Sequence, residues 1–263
     1  MIFANAFKHL TKRKLLRAND QLSVISALLL LLFITGDQSY QILERRFMIG
    51  EIQMTALITG LHTGLYKVDE KVLNAVSRVP RDEFVGDQYM SYAYKNVALP
   101  MAGEKHLIPE PFLTSMMIHL MGVTEHDRVL EIGHGTGYEA AVLSKIAKSV
   151  YSIRQESPVK IPGKQPYAEQ LTDYENVSAR DGNGLYGWAE QGPFDAILVK
   201  QSLAAPPQTL LNQLKPYGRL VIPIDQDDGT QRVMVYLKLP GGKLESRETL
   251  YVKTTPLLKG EEI

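Results

Sequence analysis

The sequence predicts an α/β fold, a mostly parallel twisted sheet with helices on both faces, and three observations lead there. From residue 127 onward, short apolar runs alternate with helical patterns, the order that yields parallel strands joined by crossovers of one hand. The first of these runs ends in a glycine-rich turn and passes straight into a helical pattern, as at the carboxyl end of a strand in an open α/β sheet. The chain has 263 residues, 44% hydrophobic and 22% charged, enough for one such globular domain with an appendage.

The elements follow in order. Residues 40–61 read as a helix whose approximate apolar face is Ile42, Phe47, Ile49, Ile52 and Leu57. Val72, Leu73, Val76 and Val79 repeat at helical spacing, with Asp69 placed as an N-cap and Pro80 after the end. Pro100, Gly103, Pro109 and Pro111 make 93–111 a stiff loop, and Leu113, Met116, Met117 and Leu120 mark a helix over 112–122. The alternating part then predicts strands at 128–132, 149–153, 177–179, 194–199 and 219–224, with helices at 139–147, 167–173 and 207–215. Gly218 is expected to cap the last of these helices. Two late strands, 233–238 and 248–252, are joined through Gly241 and Gly242.

Composition narrows the function. Lys+Arg and Asp+Glu both number 29, so no net field draws the chain onto a nucleic-acid backbone. The sequence has no cysteine, which excludes disulfides, thiolate nucleophiles and sulfur-ligated zinc; no metal site is expected, and a cytoplasmic location fits. Residues 1–39 stand apart, with a basic stretch at 8–17 and an apolar run at 23–35. The run is shorter than the roughly 20 residues of a spanning helix. It reads as a buried or partner-binding helix, as a signal or weak membrane anchor, or as an extension upstream of a working chain that begins near Met48 or Met54. Membrane association through 23–35 is not the expectation. The domain proper is placed at 40–263, divided into a helical and substrate-loop part, 40–122, and a core with late strands, 123–263.

The most informative segment is VLEIGHGTGYEAAVLS, residues 129–144. Gly133 and Gly135 let the chain turn tightly and leave backbone bare beside a ligand, and Gly137 is expected to bring the helix close to the strand. A dinucleotide site prefers a glycine where Tyr138 stands. Glu131 stands two residues before the first glycine. The segment resembles the signature of the protein-L-isoaspartate O-methyltransferase family, V-L-E-[IV]-G-[TS]-G-[ST]-G-Y-x-[AT]-A. In order along the chain, RVPRDEFV (78–85), YMSYAYKNVALP (89–100), ARDGNGLYGWAEQGPFDAILV (179–199) and QLKPYGRLVIPI (213–224) resemble further motifs of that family.

The resemblance implies a Rossmann-like methyltransferase fold, S-adenosyl-L-methionine as cofactor, and a protein or peptide as substrate. The implied reaction is methyl transfer to the carboxylate of an isoaspartyl residue, a protein-repair step. It places Glu131, Gly133, His134, Gly135 and Gly137 around the cofactor, with Asp181 and Gly182 near its adenine. It places His106, Ile108 and Glu110 at the substrate. Four departures stand out. Pro109 occupies the family's serine position and Leu107 its threonine position, so the loop KHLIPEPF (105–112) lacks that hydroxyl. Glu110 adds a charge of the substrate's own sign, which His106 or Lys105 could offset. Arg154 replaces the acid that meets the ribose, with Glu156 two residues on as a substitute. Lys200 and Gln201 replace small residues of a V-T-A-A-A-P stretch; Lys200 either faces a carboxylate or lies in solvent, and solvent is the expectation. His134 is read as filling the turn. Beside the isoaspartyl reading stand a diverged methyltransferase with another substrate and a binding module that keeps the fold.

Overall fold

The structure, a computed structural model, describes residues 38–101, 106–155, 167–254 and 257. Residues 1–37, with the apolar run, lie outside these, as do Lys105 and Glu156. Among the described residues, the boundary between two units falls between Arg46 and Phe47.

Helix α1 runs Gln38–Thr63. Its buried stripe is Met48, Ile52 and Ala56, four residues apart, so the expected face is corrected: Phe47 and Leu57 are exposed. A four-residue repeat sits on one side of a 3.6-residue helix, whereas positions 47 and 57 fall off that stripe. Helix α2, Glu70–Arg78, buries Val72, Leu73, Ala75 and Val76. Asp69 holds the N-cap position but makes no capping bond with its side chain; its carboxylate lies 3.3 Å from Nδ1 of His119 instead. Helix α3, Pro111–Met121, starts with a proline at its first turn and stops at Gly122 in the left-handed conformation.

Between α2 and α3 the chain is organised by one buried cation. The Arg81 guanidinium donates to the carbonyls of Ala93 at 2.6 Å and Pro109 at 2.9 Å. The expected loop also contains a two-residue antiparallel ladder, Leu99–Pro100 against Leu107–Ile108.

The sheet has seven strands: β1 Arg128–Gly133, β2 Ser149–Gln155, β3 Val177–Gly182, β4 Phe194–Val199, β5 Leu214–Asp225, β6 Gln231–Lys238 and β7 Leu244–Val252. Their order is β3-β2-β1-β4-β5-β6-β7. The pairs from β3 through β5 are parallel, and β6 and β7 add antiparallel. Helix α4, Tyr138–Ser144, follows β1, and α5, Gln208–Asn212, precedes β5.

Three expectations need correction. The 167–173 helix is a 3₁₀ segment, Tyr167–Leu171. Helix α5 ends at Asn212, and β5 starts at Leu214. Gly218 therefore does not cap a helix. It lies where β4 and β5 shift register between Phe194 and Ala196, and a Cβ there would stand 2.9 Å from the Lys215 carbonyl oxygen. Close backbone approach, not helix termination, calls for glycine.

Strand alternation sorts the core. Leu130, Ile132, Ile153, Ile197 and Val199 belong to one buried cluster with Leu210 and Leu211 of α5. Val129, Val150, Ala196, Leu198 and Val221 belong to the other, with α2, α3 and α4. By the same period of two, Glu131, Ser152, Arg154 and the residue after β4, Lys200, project to the side of the second cluster.

Candidate functional site

Strand β1 is the third in the sheet order, flanked by β2 and β4 in parallel. Its last residue is Gly133, and α4 begins at Tyr138 behind Gly137, whose φ is 96°. The turn between them lies at the carboxyl end of the strand, as the sequence predicts. Gly137 is held by a neighbour other than the expected strand: a Cβ there would sit 2.9 Å from Cδ2 of Leu171.

The space beside Gly133 and Gly135 is filled from within the chain. A Cβ on Gly135 would collide with Nζ of Lys200, and one on Gly133 with Oε1 of Gln201. Gln201 also takes up the backbone of the turn. Its Oε1 accepts the N–H of His134 at 3.0 Å, and its Nε2 donates to the His134 carbonyl at 3.4 Å. Lys200, expected in solvent, is 4% exposed. Its ammonium lies 2.7 Å from Oε1 of Glu131 and 3.2 Å from Oε2 of Glu139. An ammonium on the buried side of the sheet is tolerable only beside such partners. Thr114 of α3 donates to the other Glu139 oxygen at 3.1 Å.

The charges follow from this packing. Burial alone would lower the pKa of Lys200, but Glu131 and Glu139 outweigh it and hold the ammonium above its ordinary value. Burial raises Glu131, against the pull of Lys200. Burial also pushes Glu139 upward, but Lys200 and hydrogen bonds outweigh it and leave the carboxyl below its ordinary value.

A second set of contacts continues across the strands. Ser152, paired in register with Glu131, donates to its Oε2 and lies 2.7 Å from the Tyr167 hydroxyl. Arg154 stands over the Tyr167 ring at 4.9 Å. Arg154 also makes a two-pronged pair with Asp181, its register partner on β3, at 2.5 and 3.0 Å. Gly182 pairs in register with Gln155, whose side chain accepts the N–H of Gly184 at 2.9 Å.

Lys200 and Gln201 also line a cleft of about 350 Å³, together with Pro109, Glu110, Leu113 and Lys253 and without Gly133 or Gly135. His106 stacks on His134 with ring centroids 3.7 Å apart, which joins the substrate loop to the glycine turn. Ile108 is buried and faces a different cleft, shared with Thr136 and Phe84. Of the three substrate positions, then, Glu110 alone lines the cleft beside Lys200.

Glu131, Gly133, His134 and Gly135 lie side by side in one turn, and Asp181 is linked to Glu131 through Arg154, Tyr167 and Ser152. The sequence reading passed over Glu139, Ser152, Tyr167, Arg81 and Lys253. Among the described residues no group of three or more His, Cys, Asp or Glu could hold a metal ion.

The chain matches the family described as Protein-L-isoaspartate(D-aspartate) O-methyltransferase over residues 52–262. It is 37% identical over 216 residues to a protein-L-isoaspartate O-methyltransferase of Cupriavidus necator, covering 82% of each chain. It is 37% identical to one from a Polaromonas species, covering 78% of this chain and 97% of that one. Among solved structures, a protein-L-isoaspartate O-methyltransferase superposes with a TM-score of 0.67 at 26% identity, over 82% of this chain and 66% of that one. A Plasmodium falciparum structure named as a relative of the same kind, in complex with S-adenosyl-L-homocysteine, superposes with a TM-score of 0.60 at 20% identity. That match covers 73% of this chain and 92% of that one.

Proposed function

The chain belongs to the protein-L-isoaspartate(D-aspartate) O-methyltransferase family, its cofactor is S-adenosyl-L-methionine and its reaction is methylation of isoaspartyl carboxylates in damaged proteins, and we propose how its own residues serve that reaction. One observation carries the proposal. Gly133 and Gly135, at and just beyond the carboxyl end of β1, carry no side chain, so the space beside them is open to whatever group enters it, and here it is held by Lys200 and Gln201. We read Glu131, Gly133, His134, Gly135 and Gly137 as the wall of the cofactor site, with Asp181 and Gly182 at its far end.

As the side chains stand, these residues do not fit the cofactor. The backbone amide of His134 is bonded to Gln201, Glu131 is paired with Lys200, and Asp181 is paired with Arg154. A nucleoside would need the same donors and acceptors and the same volume.

The substrate side needs little chemistry from the protein. A carboxylate is already a nucleophile, so the task is to hold one oxygen in line. We assign this to the cleft beside Pro109. Arg81 fixes the loop backbone through the Pro109 carbonyl. Lys253 supplies the cation that draws an acidic group in against Glu110, both being cleft-lining residues. The hydroxyl that the family keeps at position 109 is thus replaced by a charge from β7's end. His106, stacked on His134, closes the loop over the turn.

The domain is read as 40–263, with 1–39 appended. Balanced charge supports a partner that is protein and not nucleic acid. Among the described residues no helix is long and apolar enough to cross a membrane, and dependence on an intracellular cofactor supports a cytoplasmic location.

The test is transfer of labelled methyl to an isoaspartyl peptide at saturating cofactor, repeated with Gly135→Val. Transfer by the native chain and its loss in the folded variant are expected. Label transfer that survives the valine would remove the glycine turn from the cofactor site.

A further inference from the structure

Lys200 and Gln201 border two spaces. On one side they form part of the cleft with Pro109, Glu110 and Lys253. On the other they reach into the room that Gly133 and Gly135 leave. Each makes contacts suited to a bound ligand. Gln201 presents one acceptor and one donor to the N–H and C=O of His134, as a peptide group would. Lys200 presents a cation to two buried carboxylates. Glu139 belongs to the same device, for it gives the ammonium its second partner and takes a further bond from Thr114.

We propose that Lys200 and Gln201 are an internal plug that occupies the cofactor site of this chain, so that S-adenosyl-L-methionine binds only after both side chains withdraw. The plug rests on the reading of the glycine turn as the cofactor site. Its physical basis is competition within one molecule. The apparent affinity of a ligand falls by the fraction of molecules whose site is open. A plug held by a buried ammonium with two carboxylates and by two backbone hydrogen bonds keeps that fraction small. The plug makes cofactor affinity, not chemistry, the weak point of this chain, and it accounts for two bulky side chains where the family has small ones.

Calorimetric titration with S-adenosyl-L-homocysteine tests this on the full chain and on two variants. The first variant, Lys200→Thr with Gln201→Ala and Glu139→Gln, removes one cation and one anion together, so that of the two buried carboxylates only Glu131 remains, with the Ser152 hydroxyl as its partner. The second, Gln201→Ala alone, leaves the ion triad intact and changes no charge. The expected result is an affinity gain of about 100-fold or more in the triple variant and about tenfold in the single one, relative to the native chain. Native affinity equal to that of both folded variants would overturn the plug while leaving the cofactor site in place. Absence of binding in the native chain and in both folded variants would instead overturn the cofactor reading of the turn, and the plug with it. If the triple variant does not fold, the single variant decides by the same criterion. Chemical acetylation read by mass spectrometry gives a second measure: Lys200 is expected to resist modification in the free native chain, and rapid modification there would mean that the plug is not seated.

Discussion

The two sides of the Lys200–Gln201 wall handle charge in opposite ways. On the sheet side, Glu131, Glu139, Arg154, Asp181 and Lys200 pair among themselves, and the volume beside the glycines is taken. On the loop side, Glu110 and Lys253 line a cleft of about 350 Å³, with room for a peptide side chain. The first region gains stability from being filled; the second keeps an open space by tying its loop to Arg81 from beneath. A substitution on the sheet side should therefore register first as lost stability, and one on the loop side as altered handling of substrate.

The largest effect should come from Lys200→Met, which leaves Glu131 and Glu139 buried without their cation. Breaking a buried ion pair by removing one member costs about 3–5 kcal/mol, read as a lowered midpoint of denaturant unfolding. The pH dependence sharpens the comparison. Lys200 has its pKa raised in the folded chain, so its contribution is full below about pH 10 and fades as pH rises through the folded value. Glu139 is lowered, so its contribution is present above about pH 4 and is lost as pH falls. Glu131, raised by burial, works the other way and favours the folded chain at low pH. The gap between native chain and variant should thus be widest on a plateau from about pH 5 to 10 and shrink at high pH. A gap that does not narrow at high pH would mean that the lysine charge is not what holds the triad.

Next in size is Arg81→Leu, which breaks the comparison from the loop side. The guanidinium bonds to the Ala93 and Pro109 carbonyls, and hydrogen bonds of charged groups are each worth about 1.5–3 kcal/mol. Leucine keeps part of the packing, so a net loss of about 2–3 kcal/mol is expected, with faster proteolytic cleavage between 93 and 110. Stability loss without that local sensitivity would mean that Arg81 supports the core and not the loop.

The fold was largely legible because its signals are local. Alternating apolar runs located each strand of the sheet, and the glycine turn marked the carboxyl end of β1. What failed were helix ends where the tertiary path overrides local pattern. Gly218 looks like a helix stop, yet the close approach of the Lys215 and Asp195 carbonyl oxygens sets its role. The site was half legible. Resemblance supplied Glu131 and Asp181, but it is silent about residues that depart from the family. For Lys200 the sequence leaves a carboxylate partner or solvent, and the habit of the residue type favours solvent. Strand parity would have corrected this, since Ala196, Leu198 and position 200 share one side. Glu139 is likewise a lone acid in the apolar run GYEAAVLS, and a buried lysine calls for such a partner. Arg81 and Lys253 leave no local trace, because their roles come from chain segments distant in sequence.

The smallest effect on stability, and the most direct test of the loop side, should come from Lys253→Ala. The residue is exposed, so its loss should change the unfolding midpoint by no more than about 0.5 kcal/mol. Its effect should fall on substrate. If the ammonium draws in the isoaspartyl carboxylate against Glu110, then KM for an isoaspartyl peptide should rise about threefold to tenfold with kcat little changed, because a group that attracts the ground state and the transition state alike contributes uniform binding. High salt should erase most of the difference between native chain and variant, as for any exposed charge. Glu110→Gln should move KM in the opposite direction, by removing a like charge from the same cleft. A Lys253→Ala variant that lowers kcat with KM unchanged would place the lysine at the reacting carboxylate itself and not at the approach to it. Equal KM in both variants and the native chain would show that the substrate enters elsewhere, and that the filled and open sides of the wall do not divide the work between cofactor and substrate.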